Sequence, residues 1–473
     1  MRSPAVVAWS AMVMALAGCA VGPDYQAPAL EDDSGWVAEQ NAATGPRAAR
    51  PGWWQSLDDP LLDELVAAAL AENLDLAAAA ARVRESEALV RVAGAALYPQ
   101  VDVGASGTRF RLSESSPRAG SSLVNAGLTP SPDSVYDVGA SFAWELDLFG
   151  GIRRRRESAL AGYDGALAES QAVKLAITAA VVSTYGQLRG RQRELAVTRR
   201  NAELQRQFAD LVARKVKTGI ARKLEQRRAE AEAEATAARL PALEGLVRDS
   251  IYTLSVLTGQ PPEAWLPRLA DVQPPPAPPE RLNLGTRLAV LQGRPDVLIA
   301  ERRLASATAD VGVAVADLYP KIGLVGDGGW EAGSTGDLFS SAARSWTLTP
   351  AVTWSVFRGG ELRGREAAAR ARMEAAEIAY RQTVLTALQE AESAAYGYGR
   401  LLETRDHLRE SAAAIGETAS IARGLYERGL ADFLTVIQAE QRQREVEAEL
   451  ARAETLTLVG FATLQRALGG CRC

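Results

Sequence analysis

The chain has 473 residues, enough for more than one domain, and a net charge of −5 with no basic block beyond Arg153 to Arg156, which excludes a nucleic-acid-binding footprint. Its one histidine, His407, and three cysteines, Cys19, Cys471 and Cys473, exclude a His/Cys metal site or a His-based triad within the chain. Apolar residues make up 47%, mostly Ala, Leu and Val with only 6% aromatic, a balance that suits long helices with narrow apolar seams better than one thick core.

Residues 1–18 read as a lipoprotein signal peptide. Arg2 is followed by the short apolar run Ala5 to Ala17, and Leu16-Ala17-Gly18-Cys19 resembles a bacterial lipobox. Acylation of Cys19 would bury alkyl chains at ~0.8 kcal/mol per methylene, so several chains give a stable anchor. Ala20, rather than Asp, follows the cysteine, which fits sorting to the outer membrane. After Cys19 no stretch of 18 apolar residues lacks a charge, so no transmembrane helix is expected and any span must be made of strands. Residues 19–58 read as an extended segment.

The remainder repeats itself once. Leu97-Tyr98-Pro99 returns as Leu318-Tyr319-Pro320, Trp144 before Gly150-Gly151 returns as Trp354 before Gly359-Gly360, and Lys217-Thr218-Gly219-Ile220-Ala221 returns as Glu427-Arg428-Gly429-Leu430-Ala431. Two structural repeats follow, 59–285 and 286–473, each reading helix, strand pair, long helix, tight turn, long helix. The strand pairs fall at about 98–148 and 321–357, the helical hairpins at about 152–258 and 361–468. A proline-rich strap, 271–280, closes the first repeat.

Between Tyr136 and Leu148 apolar residues alternate with Asp137, Gly139, Ser141, Ala143, Glu145 and Asp147; between Ser345 and Val356, Trp346, Leu348, Pro350, Val352, Trp354 and Val356 alternate with small polar residues. One apolar and one polar face over ~10 residues matches a barrel wall with lipid outside and water inside, tryptophans marking the interface. The alternative is a soluble sandwich with one wet face. Four strands interrupted by helices cannot close a barrel, and bare edges are not viable in lipid, so membrane strands here require several chains to share one barrel.

No proline interrupts 152–216, 361–426 or 433–468, and 222–258 meets only Pro241. Sixty helical residues extend ~90 Å, which suits a periplasm-crossing tube. The seams Val181, Leu188, Leu195, Ala202, Ala209, Val216 and Tyr380, Ala387, Ala394, Leu401, Leu408, Ile415, Ala422 recur every seven residues, the period of helices packed side by side as in coiled coils.

The chain resembles the TolC-like outer-membrane efflux lipoproteins. The resemblance is carried by Cys19-Ala20-Val21-Gly22-Pro23-Asp24-Tyr25, by Trp53-Trp54 with Asp59-Pro60-Leu61-Leu62 and Asn73-Leu74-Asp75-Leu76, and by Arg294-Pro295-Asp296-Val297 running on to Leu318-Tyr319-Pro320. It implies an α plus transmembrane-β fold: a homotrimeric channel-tunnel, each subunit giving four strands to a twelve-stranded barrel and four long helical segments to a coiled-coil α-barrel. The implied function is the passive exit duct of a tripartite efflux system, with a periplasmic adaptor and an inner-membrane pump, often of the resistance-nodulation-division type, as partners. No enzymatic activity and no cofactor are implied. The duct of a protein-secretion system and a structural lipoprotein rod are the alternatives.

Several residues carry the functional expectations. Cys19 is the lipid attachment site. Gly219, Ile220, Gly429 and Leu430 resemble the adaptor-docking tips. Tyr426, Leu434 and Gln438 fall where relatives close the periplasmic gate. Relatives often carry Asp at the place of Gln438, so Asp432 or Glu440 would have to supply any acidic ring. Asp137, Glu145 and Asp147 are expected to line the pore face of a strand, and no metal site is expected. The Cys471-Arg472-Cys473 tail departs from the family ending; it could form a disulfide or be a frayed end.

Overall fold

The structure is a computed structural model that describes residues 20–29, 35–37, 52–111, 133–280 and 284–470; Cys19, Cys471 and Cys473 lie outside the described residues. The chain divides into two compact units. One comprises Met1–Ala27, Arg84–Gly165 and Glu301–Ile378, the other Pro28–Val83, Ala166–Ala300 and Ala379–Cys473. Each unit draws on both sequence repeats.

Among the described residues the α-helices longer than one turn are α1 (Pro60–Glu72), α2 (Leu74–Ala95), α3 (Gly151–Lys217), α4 (Lys223–Ala237), α5 (Leu240–Leu257), α6 (Arg287–Gly293), α7 (Pro295–Ala316), α8 (Glu361–Glu427) and α9 (Phe433–Ala467). Their ends follow local chemistry. Asp59 caps α1 by accepting from the amides of Leu61 and Leu62, with Pro60 in the first turn where its missing N–H costs nothing. Asn73 accepts from the amides of Asp75 and Leu76 at the start of α2. The second arm of the first hairpin is expected as one helix, but it divides into α4 and α5 just before Pro241, because proline cannot donate inside a continuing helix.

In the second unit the seven-residue seam is inside. Val181, Leu188, Leu195, Ala202 and Ala209 are all buried. The largest core cluster joins Val181, Tyr185 and Leu188 to Leu62, Leu65, Ile251, Leu254, Leu458 and Phe461. By length and composition alone α3 contains a segment apolar enough to cross a membrane. Within α3, Ile177, Val181, Val182, Tyr185 and Leu188 pack into this cluster, while only 33% of the apolar segment is buried.

The first unit holds one antiparallel sheet of four strands, β1 (Gln100–Phe110), β2 (Asp133–Leu146), β3 (Lys321–Ala332) and β4 (Arg344–Thr353), in the order β1-β2-β3-β4. The two hairpins of the two repeats therefore lie side by side, joined by β2 and β3. Register carries both faces across the sheet. Val101, Phe142, Gly326 and Leu348 form one row, and Val103, Ala140, Gly328 and Trp346 another. On the opposite face Asp102, Ser141, Asp327 and Thr347 form a row. Glycines at 326, 328 and 329 let β3 lie close to its neighbours; a Cβ at Gly329 would meet the backbone of Val138 and Gly139. Every residue of β1 is exposed and β4 nearly so, and neither outer edge has a strand partner among the described residues.

Candidate functional site

Three places gather the residues singled out in the sequence. The first is the pair of hairpin tips. After α3, Gly219 adopts φ +77°, the Ile220 amide reaches back to the Lys215 carbonyl at 2.9 Å and the Gly219 amide to Val216 at 3.1 Å. After α8, Gly429 also has φ +77°, with Leu430 bonded to the Leu425 carbonyl at 2.9 Å and Gly429 to Tyr426 at 3.0 Å. Both are left-handed glycine C-caps of the Schellman type. Nothing lies within 4 Å of a Cβ added at either glycine, so the backbone angle rather than space demands glycine. The turns hold Ile220 and Leu430 outward, 74% and 71% exposed.

Just behind the tips lies a small aromatic core of Phe208, Tyr426 and Phe433 with Val212, Ala229 and Val436. Phe208 stacks on Phe433 at 5.7 Å. Lys215 donates to the Tyr426 carbonyl at 2.9 Å and its ammonium sits 4.0 Å from the Tyr426 ring centre. Burial, then the carboxylate of Glu225, raises the Tyr426 phenol above its ordinary value. Tyr426, expected among the gate residues, has its ring buried in this aromatic core. Leu434 and Gln438, one turn apart on α9, are exposed.

The two carboxylates that might have replaced an acidic gate are both engaged. Asp432 caps α9, accepting from the Thr435 amide at 2.8 Å and the Thr435 hydroxyl at 2.7 Å; bonds to the Thr435 hydroxyl and backbone amides hold its carboxyl below the usual range. Glu440 is buried and paired with Arg423.

The second place is the polar face of the sheet. Asp137 lies between Ser106 and Glu331, and Glu145 is opposite Gly323. Asp102, Asp327 and Glu331 share this face and were missed in the sequence, because glycines blur the alternation of β1 and β3. Asp147 is not on it. It falls beyond β2, where its carboxylate accepts from the amides of Ile152 at 3.0 Å and Arg153 at 2.9 Å and from the Arg153 guanidinium at 3.2 Å. Asp147 is the anion at the N-terminus of α3, where unpaired amides favour it.

The third place is the segment just after Cys19. The Val21 amide donates to the Phe149 carbonyl at 3.1 Å, Asp24 accepts from Arg154 at 2.5 Å, and the Tyr25 hydroxyl donates to Glu301 at 2.6 Å. A Cβ on Gly22 would come within 2.5 Å of the Gly312 backbone, so glycine there permits the close approach to α7. Burial lowers the affinity of Arg154 for its proton, but Asp24 and Glu157 more than reverse this and raise it. Among the described residues no group of His, Cys, Asp and Glu is arranged to hold a metal.

The chain matches the family profile described as outer membrane efflux protein over residues 65–260 and 288–470, one segment per repeat. It is 30% identical over 454 residues to nodulation protein T of Rhizobium leguminosarum bv. viciae, covering 94% of this chain and 89% of that protein. It is also 30% identical to the pyoverdine export outer membrane protein OpmQ of Pseudomonas putida, covering 88% and 87% of the two chains. Among solved structures it is similar to the outer-membrane channel OprN, with TM-score 0.87 and 35% identity over 96% of this chain and 99% of that one.

Proposed function

Because this chain belongs to the outer membrane efflux protein family, we propose that it is the outer-membrane exit duct of a tripartite efflux system, working as a homotrimer. An inner-membrane pump of the resistance-nodulation-division type loads it, and a periplasmic adaptor joins the two. The observation that carries this reading is the sheet: four strands, one apolar and one polar face, and two bare edges. In lipid such edges must be closed, and three copies supply twelve strands for a barrel. The polar face then lines water, with Asp137, Glu145, Asp102, Asp327 and Glu331 along the lumen.

The other sites take their places in this duct. Cys19 carries the lipid, and the bonded run after it, with Val21, Asp24 and Tyr25 held by Phe149, Arg154 and Glu301, fixes where the anchor leaves the protein. Ile220 and Leu430, exposed on like turns, are the apolar contacts offered to the adaptor. Leu434 and Gln438 narrow the periplasmic end, Leu434 by dewetting. Passage needs no bond making, and the duct acts without catalysis. Relatives named for export of pyoverdine, solvents, toluene and antibiotics point to small molecules of varied chemistry as cargo, selected by the pump.

Deleting the gene should sensitise the cell to several unrelated small molecules, with full rescue by the wild-type chain and weaker rescue by Cys19→Ser. Unchanged susceptibility across drugs, solvents and metals, with loss of a secreted protein instead, would move the duct to protein secretion. A purified chain that neither assembles nor conducts in planar bilayers would leave only a structural lipoprotein.

A further inference from the structure

The apolar face of the sheet, the one that holds Val103, Phe142, Leu324 and Leu348, carries only two charges among the described strand residues, Arg109 and Arg344. Every strand carboxylate, Asp102, Asp133, Asp137, Glu145, Asp327 and Glu331, lies on the other face. Both arginines are exposed, and neither has an ion pair or hydrogen bond from its side chain among the described residues. They stand at one end of the sheet. Arg109 is next to last in β1 and Arg344 is first in β4, at the two hairpin turns, whereas α2, α3, α7 and α8 all join the strands at the opposite end.

Aromatic residues gather around them on the same face. Trp330 is directly opposite Arg344, and Trp346 is two residues further along the strand. Trp346 is 79% exposed, and Phe339, in the turn between β3 and β4, is 69% exposed with its ring edge-on to Trp330 at 5.7 Å. Arg109 faces Ser134, with Tyr136 the next residue of β2 on that face. An arginine turned to hydrocarbon costs ~2–4 kcal/mol at the middle of a bilayer and ~0–1 near its surface, so these two mark the boundary of the apolar band. No strand carboxylate shares the face to neutralise them.

We propose that this rim binds a phosphorylated glycolipid of the outer leaflet. The Arg344 guanidinium takes a phosphate through its planar fork, while Trp330, Trp346 and Phe339 offer flat apolar faces to the sugar rings that carry it. Arg109, beside Tyr136, holds a second headgroup, since the outer strands of a four-stranded sheet lie ~14 Å apart. The inference rests on the reading of the sheet as a barrel wall, which turns its hairpin end to the cell exterior, and it gives the lipid-facing side a specific ligand. Charge and shape together favour this occupant. A phospholipid would satisfy the arginines but leave the exposed rings of Trp346 and Phe339 without a flat partner.

The test immobilises the purified full-length trimer in mild detergent and measures the lipid it retains after washing. Three probes are compared: lipopolysaccharide, the same lipopolysaccharide stripped of its phosphates, and phosphatidylglycerol. The wild type should retain intact lipopolysaccharide several-fold better than either other probe. Arg344→Gln should lose most of that preference, and Arg109→Gln with Arg344→Gln should fall to the level of the stripped lipid. Arg344→Lys, charged but without the fork, should lie between. Trp346→Ala should lower retention of lipopolysaccharide and leave that of phosphatidylglycerol unchanged. Undiminished retention by the double variant, or equal retention of stripped and intact lipid by the wild type, overturns the phosphate site. Equal retention of phosphatidylglycerol overturns the glycolipid and leaves a general anionic surface. All variants should assemble and conduct like the wild type; if the double variant does not assemble, the wild-type comparison of intact with stripped lipid decides. A wild-type chain that neither assembles nor conducts fails as a duct, a different result from a conducting trimer that ignores lipopolysaccharide.

Discussion

The indole of Trp144 hydrogen-bonds the carbonyl of Leu97 across the β1–β2 hairpin at 3.0 Å, and Trp354 does the same to Leu318 across β3–β4 at 3.1 Å. The tryptophan is the donor, and the acceptor is a carbonyl ahead of a Leu-Tyr-Pro step. Proline ends the preceding helix and cannot itself donate to the ladder, so an indole reaching past it ties the strand start to its neighbour. An aromatic ring with one polar edge suits the boundary between an apolar wall and water.

Trp144→Phe and Trp354→Phe should therefore each cost at least about 1 kcal/mol, the worth of one hydrogen bond, with the lost contacts of the smaller ring added to it. The temperature at which the trimer dissociates is the measurement, and the two losses should be similar in size. A loss in one hairpin alone would mean that the two bonds are not equivalent.

Much of this was legible before the structure. The seam Val181, Leu188, Leu195 showed its period because heptad packing writes itself into sequence, and all three are buried. The tip glycines were legible because only a left-handed turn demands them. Asp147 was misread because alternation runs past the end of a strand: nothing in the pattern says that β2 stops at Leu146 and that the next carboxylate caps α3. The packing of Tyr426 is not legible, because a tyrosine facing a pore and one facing a neighbouring hairpin have the same local sequence. Phe208 and Lys215, which enclose it, are more than two hundred residues away.

Arg294 explains why Arg-Pro-Asp is a motif. Its buried guanidinium donates to the Ala467 carbonyl at the end of α9 at 2.6 Å, to Asp296 at 2.7 Å and 3.0 Å, and to Glu390 on α8 at 2.6 Å. Burial works against its charge, and the two carboxylates overcome this and raise its pKa further. Arg294→Lys keeps the charge but lacks the planar fork, so it should destabilise by about 2 kcal/mol, close to the loss in Arg294→Met. Denaturant unfolding checks this, and full stability in the lysine variant would reduce the motif to a point charge.

Tyr185 is fully buried and donates to Asp59 at 2.5 Å, while the other Asp59 oxygen caps α1. Burial, then the bond to Asp59, pushes the Tyr185 phenol well above its usual range. A pKa raised on folding stabilises fully below the unfolded value, near pH 10, and the stabilisation is lost as pH rises toward the folded one. Tyr185→Phe leaves Asp59 short of a donor and should cost about 1–2 kcal/mol at neutral pH. The gap between variant and wild type should narrow above about pH 10. A gap that does not narrow would mean that the Tyr185 phenol gives up its proton no less readily in the folded chain than in the unfolded one.

The periplasmic end offers the sharpest contrast of outcomes. Leu434 and Gln438 are exposed on one face of α9, while Asp432 is spent on the helix cap and Glu440 on Arg423. On the gate proposed above, a ring of three glutamines would carry no charge, divalent cations would have nothing to bridge, and closure would fall to the leucines. Leu434→Ser should wet the constriction and raise single-channel conductance several-fold, since an apolar ring gates by excluding water. Gln438→Asp should leave conductance near wild type in monovalent salt but make it fall when millimolar magnesium is added on the periplasmic side. The wild type should ignore the magnesium. Planar-bilayer recordings of the three proteins decide it. A magnesium block already present in the wild type would mean that a carboxylate elsewhere, Asp432 first, faces the pore after all.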